Sequence, residues 1–210
     1  INLGKKKINH KTYVLAGDGC LMEGLSHEAL SLAGHLKLKN LVLLFDNNSI
    51  SIDGPTSLAT SEDHEKRFKG YGWNFLKING HNYKEISKAL KKAQKSSKPI
   101  AISCKTTIGY GSPNKGGKSS SHGSPLGEDE IKLVRKKLKW KSNPFEIPSD
   151  ILNAWREIGK KGVKLEKDWS SVFHKKNPSI KSTLDSTYIK SDLKDLTNLI
   201  KKEKMKYFET

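Results

Sequence analysis

Apolar residues fall in short blocks separated by glycine, asparagine or lysine-rich segments, and block length and period distinguish strand from helix. Tyr13-Val14-Leu15-Ala16 has the length and content of a buried strand, ended by Gly17-Asp18-Gly19. Over residues 23–38, Leu25, Ala29, Leu32, Ala33 and Leu36 recur at helical spacing, which predicts a helix that buries this face. Leu41 to Phe45 is a continuous apolar run of strand length, stopped by Asp46-Asn47-Asn48. Strand, helix and strand within roughly 35 residues make one βαβ unit, and such a unit requires a parallel sheet. The pattern then repeats, with a helix over 61–69, a strand from Trp73 to Ile78, a helix over 82–95 and a strand from Pro99 to Lys105. In the second helix Ile86, Ala89, Leu90 and Ala93 share a face. The expected fold class is therefore α/β, a parallel sheet flanked by helices.

A Gly/Ser/Pro-rich loop follows from Gly109 to Gly127, long for a connection inside a compact domain and so a candidate functional loop. Helices are expected at 128–139 and 149–160. Beyond Lys161 the chain turns polar, and one further helix is expected at 190–206 within a linker-like segment. This divides the chain into residues 1–160, the α/β domain, and 161–210, a helical linker.

Composition changes this picture in two ways. Hydrophobic residues make up 34% of the 210-residue chain, and the shortfall is concentrated after residue 160. Net charge is +17, yet of 39 basic residues only Arg67, Arg135 and Arg156 are arginine. Without the arginine forks and basic-aromatic motifs of nucleic-acid readers, nucleic acid is not an expected partner. A lysine-rich surface still attracts phosphorylated metabolites. Cys20 and Cys104 make no disulfide framework and read as reduced thiols of a cytoplasmic protein. No apolar run is long enough to span a membrane, so no membrane association is expected.

The candidate chemistry lies at the two strand ends. Glycines at Gly17 and Gly19 would let the backbone approach a diphosphate and take positive φ, and a helix starting near Glu23 would favour an anion at its N-terminus. Asp18 is a hard oxygen ligand for Mg²⁺. Asn48, at the end of the neighbouring strand, offers an amide oxygen, and a main-chain carbonyl just beyond it could supply a third ligand. Such a site falls at the carboxyl ends of parallel strands, where open α/β sheets bind ligands.

The run Gly17-Asp18-Gly19-Cys20-Leu21-Met22-Glu23-Gly24 and the stretch Asp46-Asn47-Asn48-Ser49-Ile50-Ser51-Ile52-Asp53-Gly54 resemble the thiamine-diphosphate motif of transketolases. Ser26-His27-Glu28, Arg67-Phe68, Tyr71-Gly72-Trp73, Gly80-His81, Gly111-Ser112-Pro113-Asn114-Lys115 and His122-Gly123-Ser124-Pro125-Leu126-Gly127 continue the resemblance, which covers roughly residues 12–158. It implies thiamine diphosphate held by Mg²⁺ or another divalent cation such as Ca²⁺, with Asp18, Asn48 and the main-chain oxygen of Ile50 as metal ligands. Gly17, Gly19, Asn48 and His122 would contact the cofactor, His122 would also assist proton movement, and Glu23 would couple two cofactor sites across a homodimer. The implied reaction is transfer of a two-carbon ketol unit between sugar phosphates in the pentose phosphate pathway.

The resemblance also implies that the family's pyrimidine-binding domain, with its activating glutamate, and its upstream histidines lie outside this sequence. The isolated chain is expected to be inactive. A sister thiamine-diphosphate enzyme, a subunit of a split transketolase and a non-catalytic basic module remain open alternatives. His27, His35 and His81 read as packing or surface histidines, and Lys115 and Lys118 as solvated lysines with a weaker claim on a substrate phosphate.

Overall fold

The computed structural model describes residues 9–176. Contacts divide the chain at Lys141 and Ser142 into two compact units. The first contains β1 (Thr12–Gly17), α1 (Asp18–Met22), α2 (Gly24–His35), β2 (Leu41–Asn47), β3 (Ile50–Ser51), β4 (Gly54–Pro55), α3 (His64–Gly70), β5 (Asn74–Asn79), α4 (Tyr83–Gln94), β6 (Ile100–Lys105) and α5 (Glu128–Lys137).

Four strands form a parallel sheet in the order β1-β2-β6-β5. Strand alternation sorts its central side chains to two faces. Leu43 and Phe45 of β2 and Ala101 of β6 join Leu21, Leu30, Ala33, Phe68 and Trp73 on one side. Val42, Ile100 and Ile102 meet Ala89 and Ala93 of α4 on the other. This two-sided burial explains why β2 and β6 read as unbroken apolar runs.

Two expectations about burial are corrected. The strand at Tyr13–Ala16 forms but is not buried. It is an outer strand, and Leu15 is 80% exposed. The helix over 23–38 packs through Leu30, Ala33 and Gly34, while Leu25, Leu32 and Leu36 face outward. The helix is apolar on two sides, so periodicity alone could not say which side meets the sheet.

α4 begins as its sequence dictates. The Asn82 side chain accepts the amides of Lys84 and Glu85, capping the helix, and Glu85 sits in its first turn. In the second unit, α6 runs over Ser149–Lys176 as one helix, so the end expected near residue 160 lies a further sixteen residues along. Lysine, glutamate and leucine are good helix formers, and they outweigh Gly159 and Gly162. The helix expected at 190–206 lies outside the described residues.

Candidate functional site

Parallel pairing aligns Gly17 with Asp46, so β1 and β2 end side by side. Asp18 opens α1 immediately after β1 and is only 5% exposed. Its Oδ2 accepts the backbone amides of Asn48 and Ser49, each at 3.2 Å. These bonds tie the end of one strand to the turn after the next, with Ser49 in the left-handed region at φ 64°. Asn48 Oδ1 accepts the amide of Ile50 at 2.9 Å, which folds the chain into the β3–β4 hairpin. On the far side of Asp46, the Thr106 hydroxyl donates to its carboxylate, and Lys105 Nζ reaches Ser49 Oγ at 2.7 Å.

Gly17, Asp18, Gly19, Asn48, Ile50 and His122 all line one cavity of about 850 Å³, together with Asp46, Cys104, Thr106 and Gly109. Glu23, expected to couple two such sites, is absent from the cavity lining, as are His27, His35, His81, Lys115 and Lys118. Glu23 is exposed in an extended linkage between α1 and α2. The helix expected to begin near Glu23 does so, with Glu23 as the N-cap of α2, but the helix start that lines the cavity is that of the five-residue α1 at Asp18. Positive φ is also not found at Gly17 or Gly19, because the strand runs straight into a right-handed helix. Their role is openness, since a Cβ at either would meet nothing within 4 Å. A side chain there would fill space over the strand ends.

Among the described residues, the hydrogen bonds to Asp18 fall on Oδ2 and no amide donates to Oδ1. Among the described residues no cluster of three or more His, Cys, Asp or Glu could hold a metal. The strand-end set is instead one carboxylate, one amide oxygen and main-chain oxygens. That set suits a hard cation completing its shell with phosphate oxygens and water. Burial raises the Asp18 pKa above 3.8, opposed by the Ser49 and Asn48 amides. The folded chain thus holds this proton more tightly than the unfolded chain, so at this group stability rises as pH falls through the raised value toward 3.8. A cation requires the carboxylate. If Asp18 is a cation ligand, Mg²⁺ affinity should begin to fall at a pH above 3.8, which a calorimetric titration across a pH series would detect.

Of the other histidines read from the sequence, His27 and His81 have structural partners, and His35 is exposed. His27 lies 2.9 Å from Arg67, whose guanidinium also donates to the Leu21 carbonyl and pairs with Glu62, both at 2.9 Å. His81 accepts the Thr107 amide at 2.9 Å and stacks on Tyr110. Lys115 is committed to the protein, since its ammonium donates to the Leu126 carbonyl at 2.8 Å. Lys118 is exposed.

Sequence reasoning missed Glu130. It is buried in the first turn of α5, and its carboxylate takes the Ser112 hydroxyl, the Asn114 amide and Asn114 Nδ2. The Ser112 hydroxyl, followed by the Asn114 donors, holds its carboxyl down to about 2. Its position in Glu128-Asp129-Glu130 hid it, because acidic residues at a helix start need no further explanation.

A parallel sheet with a hard-oxygen set at adjacent strand ends defines an α/β domain suited to an anionic ligand carrying a cation. Comparison with known proteins identifies which one. The family model "Transketolase, thiamine diphosphate binding domain" matches residues 2–190. The transketolase of Rhodobacter capsulatus is 46% identical over 168 residues, 80% of this chain and 25% of that protein. That of Buchnera aphidicola subsp. Schizaphis graminum is 49% identical over 169 residues, again 80% and 25%. The crystal structure of Campylobacter jejuni transketolase superposes with a TM-score of 0.78 at 44% identity, covering 80% of this chain and 27% of that one. The chain belongs to the transketolase thiamine-diphosphate-binding domain family, and it spans about a quarter of the length of these curated relatives.

Proposed function

We propose that this chain is the diphosphate-binding part of a transketolase that moves a two-carbon ketol unit from a ketose phosphate to an aldose phosphate. The observation that carries this reading is the convergence of Asp18, Asn48, Ile50 and His122 on one cavity in a chain of this family. Asp18, the Asn48 amide oxygen and the Ile50 carbonyl would hold Mg²⁺, or Ca²⁺ in its place. Gly17 and Gly19 leave room for the diphosphate, and Asn48 contacts it. Thiamine diphosphate, when bound, would supply the nucleophilic carbon that ketol transfer needs. His122, also in the cavity lining, exchanges a proton with a substrate hydroxyl.

The outward Leu25, Leu32 and Leu36 of α2, at 77%, 56% and 55% exposure, support a homodimer with this face buried between subunits. Glu23, at the head of the same helix, then couples the two sites. A cytoplasmic place in the pentose phosphate pathway follows from the same reading. His122→Ala in the complete enzyme is expected to lower kcat about a hundredfold while leaving cofactor affinity within about threefold. Steady-state kinetics and a cofactor titration measure both. An unchanged kcat would remove His122 from the reaction.

A further inference from the structure

Glu130 has no place in the cavity lining, yet its buried carboxylate is the hub of the loop that gives Gly109 and His122 to that lining. Asn114 donates twice to it, through its amide and its Nδ2, each at 2.9 Å, and the Ser112 hydroxyl donates as well. Ser112 Oγ in turn accepts the Lys115 amide at 3.1 Å. The Lys115 carbonyl accepts the Ser121 hydroxyl at 2.5 Å, and the Lys115 ammonium holds the Leu126 carbonyl at 2.8 Å. His122 follows Ser121 directly, and its own amide donates to the Ser119 carbonyl at 2.8 Å. The loop has no slack at this point. A Cβ on Gly109, a residue of the cavity wall, would lie 2.8 Å from Ser121 Oγ.

We propose that Glu130 is a positioning residue whose carboxylate sets the Ser112–Lys115 turn and, through Lys115 and Ser121, fixes His122 in the cavity wall. All three groups pointing at Glu130 are donors, so only an acceptor on both oxygens satisfies them. Charge-assisted bonds of this kind are the strong ones. Glutamine keeps the shape but turns one terminus into a donor facing a donor. The local arrangement must then open, while the sheet, to which the Glu130 carboxylate makes no hydrogen bond among the described residues, stays intact. That His122 serves catalysis rests on the function proposed above, whereas the chain of bonds from Glu130 to Ser121 does not.

The test needs no cofactor and uses the full chain. Amide exchange and histidine-ring NMR are compared for the unmodified chain, Glu130→Gln and Asn114→Ala. Asn114 is exposed, so the second variant removes one Nδ2 bond to Glu130 without threatening the fold. In both variants, amides of residues 112–122 should exchange about tenfold faster or more, while those of β2 and β6 keep their rates. The His122 ring signals should move, and those of the exposed His10 and His35 should not. An unmoved His122 signal in Glu130→Gln overturns the proposal, whatever the loop amides do. So does acceleration spread equally over β2 and β6, which would make Glu130 a general stabiliser. Unchanged Mg²⁺-dependent cofactor binding by Asp18→Ala in the complete enzyme would refute the functional reading and leave this result standing.

Discussion

Asp18→Ala should weaken Mg²⁺-dependent binding of thiamine diphosphate by more than about a thousandfold. Replacing a group that merely orients a metal ligand costs roughly ten- to a hundredfold, and Asp18 is proposed as a ligand itself. The change also releases the Asn48 and Ser49 amides, which are both anchored on Asp18 Oδ2. The second ligand, Asn48, would therefore lose its position along with the first. Asp18→Asn separates the two effects. It keeps the size and one carbonyl oxygen but removes the charge. Its affinity should fall nearly as far while its thermal stability is held or raised, because burial already opposes the charge at this position. Equilibrium dialysis with Mn²⁺ as a paramagnetic stand-in measures the loss. Binding within threefold of the unmodified chain, in either variant, would remove Asp18 from the metal site.

Gly34→Ala should destabilise the first unit by about 3 kcal/mol or more, a large share of the stability of an ordinary domain. Two effects compete here. Alanine is the better helix former by roughly 1 kcal/mol. Against that, a Cβ at Gly34 would lie 1.8 Å from the Tyr71 carbonyl oxygen, 2.9 Å from its carbon and 3.2 Å from the Trp73 ring. The first two atoms are backbone and cannot rotate away, so the clash must win. Gly24 in the same helix is the control, since a Cβ there meets nothing within 4 Å. Urea unfolding should give a much lower midpoint for Gly34→Ala and little change for Gly24→Ala. Equal midpoints would mean that α2 does not approach the Tyr71 backbone this closely.

Gly34 illustrates what the sequence could and could not convey. Strands, helices and their parallel arrangement were legible because β2 and β6 are buried on both faces and α4 carries one clean apolar stripe. The strand-end site was legible because Asp18 and Asn48 sit in a βαβ frame that leaves little choice about where they meet. The β3–β4 hairpin was not, since each strand has two residues and the turn is set by the Asn48 side chain rather than by any periodicity. The buried side of α2 was not legible either, because leucines occupy both of its faces. Glu130 was hidden for a different reason. Its partners Ser112 and Asn114 lie in an irregular loop, and only the folded loop turns their donors toward one carboxylate.

The adjacent parallel strand ends are proposed to hold a diphosphate through a divalent cation. Titrating thiamine diphosphate into the chain, with Mg²⁺ and again with a chelator, at low and at high salt, tests this most directly. The account predicts saturable binding that needs Mg²⁺ and weakens only modestly with salt. Binding that ignores the chelator and collapses steeply with salt would contradict it, marking the +17 surface as a general polyanion binder and the strand-end residues as structural.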